Sequence, residues 1–170
     1  MYQASNFIPL VIFFLLSYSH HGLSQEIEVS AEFSPEKPLI SKVLDLFHKA
    51  ASDADSNAYF SYFSDNAIFI GTDPKETWNL QEFKTFAEPY FNKAKGWTYI
   101  PRDRHIYVSE NKQTGWFDEM LDNKKYGETR GTGVLVKTKQ GWKIAQYHLT
   151  LPIPNSITVD VVKLIQSNEE

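Results

Sequence analysis

TGWFDEMLDNKKYGETRGTGVLVKTKQGWKIAQYHLTL, residues 114–151, alternates apolar and polar side chains between short polar turns. From Trp97 onward apolar residues recur with a period of two, the spacing of strands and not of helices. Residues 97–109, 114–122, 128–138 and 141–151 therefore read as four strands. Between them stand Glu110-Asn111-Lys112, Asp122-Asn123-Lys124-Lys125 and Lys139-Gln140-Gly141, residue types that favour tight hairpins. Long strands joined by short turns make an antiparallel, strongly curved meander. Pro152 and Pro154 end it.

Upstream the period is helical. Ile40, Val43, Leu44, Phe47 and Ala51 fall on one face, with Pro38 suited to the first turn because its missing N–H has no helical partner there. Asp53 and Asp55 interrupt, and Tyr59, Phe60, Tyr62 and Phe63 suggest a short aromatic helix. Ala67-Ile68-Phe69-Ile70, closed by Gly71, reads as a buried strand. Asn79 followed by Glu82 is the start signal of a third helix, with Phe83, Phe86, Ala87, Tyr90 and Phe91 on one face. Pro89 should kink or restart it. After the meander, Ile157, Val161, Leu164 and Ile165 mark a terminal helix. Helices first, a short strand, a helix and then a meander is an α+β order. A curved sheet has one concave surface, and three helices with apolar faces cover it as a cone with an internal pocket.

The beginning of the chain reads as an address. The first 24 residues carry no charged side chain, and FIPLVIFFLL at 7–16 is a ten-residue apolar run. Ten helical residues rise about 15 Å, half of what a bilayer core requires, so a signal-peptide core fits better than a membrane span. Gly22-Leu23-Ser24 supplies small residues for cleavage before Gln25. The expected organisation is a signal peptide at 1–24, a linker at 25–37, one cone domain at 38–155, and a terminal helix and tail at 156–170. Export to the periplasm or the exterior follows, with no stable membrane anchor after cleavage.

Composition narrows the function. The chain has 170 residues, 42% hydrophobic and 15% aromatic, with a formal net charge of -4. Nucleic-acid binding, which normally brings a basic excess, is not expected. The absence of cysteine removes disulfides, thiolate metal sites and cysteine nucleophiles. No Gly-rich phosphate loop and no G-x-S-x-G is present. His48, His105 and His148 fall in three different elements, so neither a metal nor another cofactor is expected.

At this point the chain resembles the SnoaL-like branch of the nuclear-transport-factor-like superfamily. The resemblance rests on the helical pair at 38–63, AIFIGTDPKETW at 67–78, GWFDEML at 115–121, ETRGTGVLVK at 128–137 and GWKIAQYHLTLPIPN at 141–155. It implies a cone of curved sheet enclosing a pocket, often dimerised through the sheet. The family hosts isomerases, cyclases, dehydratases, hydrolases and members without known catalysis, so it implies fold more than function.

Alternation assigns faces to the strands. If the polar-bearing face is the concave one, Trp116, Asp118, Arg130, Gln146 and His148 converge as ligand-binding residues. His148 and Asp118 are then the candidate catalytic acid and base, and Arg130 would hold a carboxylate or a developing negative charge. The purely structural alternative is an Asp118–Arg130 salt bridge between strands and a hydrogen-bonded His148. Asp73 is read as a turn cap or a residue of the pocket rim. Arg102-Asp103-Arg104-His105 is read as cross-strand ion pairing on a solvated face. Three functions remain open. They are a binder of a small, partly apolar molecule, a cofactor-independent lyase, isomerase or hydrolase using His148 and Asp118, and a homodimeric association module.

Overall fold

The computed structural model describes residues 34–168. The leader expected over 1–24, and the linker up to residue 33, lie outside the described residues. Helix α1 (Glu36–Ser52) buries Ile40, Leu44, Phe47 and Ala51 on the face its spacing requires. Asp55 caps α2 (Ser56–Ser61) by accepting from the Ala58 N–H at 2.9 Å. Strand β1 (Phe63–Ile70) follows, then the short β2 (Thr77–Asn79). Asn79 and Glu82 form a reciprocal capping box that starts α3 (Leu80–Phe91). The helix does not end at Pro89 but runs through it to Phe91.

The meander is β3 (Ile100–Val108), β4 (Thr114–Asn123), β5 (Gly127–Thr138) and β6 (Gly141–Thr150). Its neighbours pair antiparallel throughout. Strand β1 joins parallel to β6, so the curved, unclosed six-stranded sheet is mixed, in the order β2-β1-β6-β5-β4-β3.

Two bulges reset the alternation. In β6, Gln146 faces Val134 while Ile144 faces Leu135, leaving Ala145 as the extra residue. Trp142 and Ile144 are buried before it, Tyr147 and Leu149 after it. In β3, Asp103 and Arg104 together oppose Glu119, with Asp103 at φ 47°. That turns Arg104 inward, while Arg102 and His105 stay outside.

The inner face of the sheet carries Phe117 and Leu121 from β4, Leu135 from β5 and the four β6 residues. It packs on a largely aromatic layer from α1, α2 and α3, including Phe47, Tyr59, Phe60, Phe83 and Phe91. Burying each such ring contributes roughly 1.5–3 kcal/mol.

Glu36, in the first turn of α1, closes one end of this core. Its carboxylate accepts from Lys137 Nζ at 2.7 Å and from the Trp142 indole N–H at 2.8 Å, tying the helix to the β5–β6 hairpin. Lys137 and then Trp142 hold its pKa below the usual carboxylate value. A carboxylate depressed on folding stabilises fully above its unfolded pKa, near 4.3, and loses that contribution as the pH falls through the folded value. Urea midpoints of Glu36→Gln are therefore expected to fall less steeply than wild type below about pH 4.3. Parallel acid limbs would show that the tie contributes nothing.

A 3₁₀ turn (Asn155–Ile157) leads into α4 (Thr158–Asn168). Its Val159, Val162, Leu164 and Ile165 remain exposed. Among the described residues no helix is long and apolar enough to cross a membrane.

Candidate functional site

A cavity of about 550 Å³ opens between the helices and the inner face of the sheet. Phe47 and His48 from α1, Tyr59 from α2, Phe69 from β1 and Tyr147 and Leu149 from β6 form its buried floor. Its exposed lining residues mark the mouth: Thr72, Phe86, Tyr90, Thr98 and the turn residues Lys124, Lys125 and Tyr126. One wall is a succession of near-parallel rings. Tyr147 stacks on Phe69 at 5.6 Å and 11°, and Phe69 on Phe83 at 3.8 Å and 12°. Phe83 then stacks on Trp78 at 5.8 Å and 18°, and Trp78 on Phe86 at 4.6 Å and 24°. The series runs from the floor to the mouth.

Behind the floor lies a buried polar cluster. Glu119, fully buried, shares Oε1 with His48 Nε2 at 2.7 Å. The same oxygen accepts a longer bond, 3.4 Å, from the Tyr147 hydroxyl. Arg104 Nε donates to Glu119 Oε2 at 2.6 Å. Arg104 Nη1 donates to Asp45 Oδ1 at 2.6 Å and to the Ser41 carbonyl and hydroxyl at 3.1 and 3.0 Å. A buried carboxylate is stable only when compensated, and here Arg104 supplies the charge. Burial works against that charge, but Glu119 and Asp45 outweigh it and raise the Arg104 pKa. Burial pushes the Tyr147 hydroxyl well above its ordinary value, and the Glu119 charge adds to the effect. Tyr99 is pushed up to about 12, chiefly by burial. Both hydroxyls are thus neutral donors at physiological pH. With Nε2 given to Glu119, His48 keeps Nδ1 as its second proton site. The floor therefore combines an aromatic surface with a histidine and a tyrosine hydroxyl.

The residues expected to line the pocket do not. Trp116, Asp118, Arg130, Gln146 and His148 sit on the outer face of the sheet and are exposed or half-buried there. Pairing does bring most of them together, as the rows Asp118–Thr132–His148 and Trp116–Val134–Gln146, but on the wrong side of the sheet. Asp118 pairs with His105 Nδ1 at 3.1 Å, not with Arg130. Trp116 stacks on Tyr107 at 5.8 Å and 14°. The correction has a plain physical cause. The face bearing Phe117 and Leu121 buries more apolar surface, so it becomes the concave one and the polar set turns to solvent.

Asp73 caps its own turn by accepting from the Lys75 N–H at 2.9 Å, while its neighbours Thr72, Glu76 and Trp78 line the cavity. In the 102–105 cluster, Arg102 forms the expected exposed pairs with Asp122 and Glu128. Arg104 is the exception, turned inward by the bulge. Glu119 and His48 were legible in outline. Glu119 alternates in phase with Phe117 and Leu121, and His48 follows Phe47, four residues after Leu44. Among the described residues no group of three or more His, Asp or Glu is placed to hold a metal ion.

Gly131 lets the cluster close. A Cβ there would stand 2.5 Å from the Tyr147 hydroxyl and 3.2 Å from Glu119 Oε1. Gly131→Ala is expected to cost about 1–3 kcal/mol in urea unfolding through overpacking. An unchanged midpoint would mean that Tyr147 moves aside freely.

The family model of the SnoaL-like domain matches residues 40–154. No curated protein matches the chain at significant similarity. Among solved structures, it is similar to an NTF2-like protein of unknown function from Pseudomonas putida, with a TM-score of 0.59 and 9% identity over 71% of this chain and 88% of that one. A proposed dehydratase of the NTF2-like family from Streptomyces avermitilis gives a TM-score of 0.57 and 14% identity, over 70% and 97% of the two chains. A proposed aromatic ring hydroxylase from Novosphingobium aromaticivorans gives 0.56 and 16%, over 70% and 90%. At these identities the likeness is one of fold.

Proposed function

The chain belongs to the SnoaL-like domain family, and from that premise we propose that it binds a small, largely apolar molecule inside its cone. The observation that carries this reading is the cavity itself. Its volume, about 550 Å³, lies within the range of small-molecule sites, and its wall of parallel rings ends at two polar groups on the floor. A flat apolar molecule gains ring contacts along that wall and a hydrogen bond with His48 Nδ1 or the Tyr147 hydroxyl oxygen.

N-phenyl-1-naphthylamine, a neutral probe that fluoresces in apolar surroundings, tests the reading. Titration should show saturable binding to the wild type. Thr98→Trp, at the exposed mouth, should weaken it by about tenfold, a loss of about 1.4 kcal/mol. Trp116→Ala, on the outer face, should leave it unchanged. If the outer-face change abolishes binding and the mouth change does not, the cone is not the site.

Should the cavity carry proton transfer, the group placed for it is His48, held by Glu119. His148 and Asp118 lie outside the cavity. A second reading, homodimeric association, is favoured by the exposed Tyr107–Trp116 stack on the outer face and by the uncovered apolar residues of α4. Export is proposed on residues 1–24 alone. The mass of protein recovered outside the cytoplasm should lack them, and retained Met1 would contradict it.

A further inference from the structure

The cavity is electrically asymmetric. Behind its floor the cation Arg104 is already taken by Glu119 and Asp45, so nothing there is free to hold an anion. Its mouth differs. Two segments line it, residues 96–99 and residues 123–126, and the second supplies Lys124 and Lys125, with no acidic residue in either. This basic collar stands out in a chain of net charge -4.

The collar is built, not frayed. Asn123 Oδ1 accepts from the backbone N–H groups of Lys125 and Tyr126, both at 2.9 Å, fixing the turn. Asn123 Nδ2 donates to the Thr98 carbonyl at 3.0 Å, joining the two segments. Lys124 and Lys125 both line the cavity, and neither is paired with a carboxylate among the described residues. Lys125 donates to the Tyr126 hydroxyl at 3.0 Å and lies over its ring. Among the lining residues these two lysines outnumber the one carboxylate, Glu76, which accepts from the Asp73 N–H at 3.2 Å, and Asp122 pairs with Arg102.

We propose that the ligand is an aromatic molecule carrying an acidic group, a carboxylate or sulfonate, bound ring-inward with the anion held at the mouth by Lys124 and Lys125. This rests on the cone being the binding site, and adds the ligand's charge and orientation. The rings stack or edge against the aromatic wall, the anion stays half-solvated between the lysines, and the reverse orientation would bury the anion at a floor whose nearest cation, Arg104, is already paired.

A pair of probes sharing one fluorophore separates the two claims. N-phenyl-1-naphthylamine is neutral, and 1-anilinonaphthalene-8-sulfonate is the same skeleton with a sulfonate. Both should bind the wild type, and Thr98→Trp should weaken both. The double variant Lys124→Ala/Lys125→Ala should weaken the sulfonate about tenfold and the neutral probe by less than about twofold. Raising salt should weaken the sulfonate on wild type and much less on the double variant. Lys139→Ala, in the β5–β6 turn away from the mouth, should change neither. Equal effects of the double variant on both probes would overturn the anion assignment while leaving cone binding intact. If neither probe binds, or Thr98→Trp leaves both unchanged, cone binding itself fails and the assignment with it.

Discussion

Glu119→Leu is expected to lower stability by about 3–5 kcal/mol, the cost of leaving a buried charge without its partner. The carboxylate is fully buried, and Arg104, whose side chain is 11% exposed, spends Nε on it. Removing Glu119 leaves Arg104 Nε without its acceptor and His48 Nε2 unpaired, and vacates the space beside Gly131. Asp45 and Ser41 still hold Nη1, so the loss should fall short of complete unfolding. Urea unfolding measures it. The double variant Glu119→Leu/Arg104→Met should recover much of the loss, because an apolar pair of similar volume can replace a buried ion pair at little cost. If the single variant unfolds at the wild-type midpoint, the cluster is not coupled and the floor is not organised by it.

Phe83→Ala should cost a similar amount, about 3–5 kcal/mol, by a different route. Phe83 is almost fully buried and packs on Phe60 from α2, Phe69 from β1, Trp78 from β2 and Trp97 from the loop after α3. It is the centre of the ring series that forms the cavity wall. Its removal joins a new void to the cavity, and the cost depends on how far Phe69 and Trp78 close in. A neutral aromatic probe at saturating concentration should then restore part of the stability, up to about 2.7 kcal/mol at a hundred times its dissociation constant. A full loss with no rescue would mean that the ring series supports the core without bordering a usable site.

The sequence reading succeeded where a local rule is decided by local chemistry. The Asn79–Glu82 box, the Ile40–Ala51 helical face and the hairpins at 110–112, 122–125 and 139–141 all form where residue type and spacing place them. It went astray where the answer depended on a single extra residue. Unbroken alternation would put Gln146 and His148 on the same face as Trp142 and Ile144, and the bulge at Ala145 breaks it. Gln146 and His148 therefore leave the cavity and Tyr147 and Leu149 enter it. The bulge in β3 does the same for Arg104, which no exposed-pair pattern would single out. On β4 and β5 the polar-bearing face is the solvent face: burial selects the face with Phe117, Leu121 and Leu135 and admits one carboxylate only because Arg104 and His48 meet it. The parallel placement of β1 beside β6 is a long-range pairing, which no window of local sequence carries.

If the cone holds a small aromatic ligand against the ring series with its acidic end toward the mouth, a crystal of the protein soaked with 1-anilinonaphthalene-8-sulfonate should show density inside the cavity, with the naphthalene rings beside Phe69 and Phe83 and the sulfonate between Lys124 and Lys125. An empty cone, with the probe lying on the outer face against Trp116 and Tyr107, would contradict it.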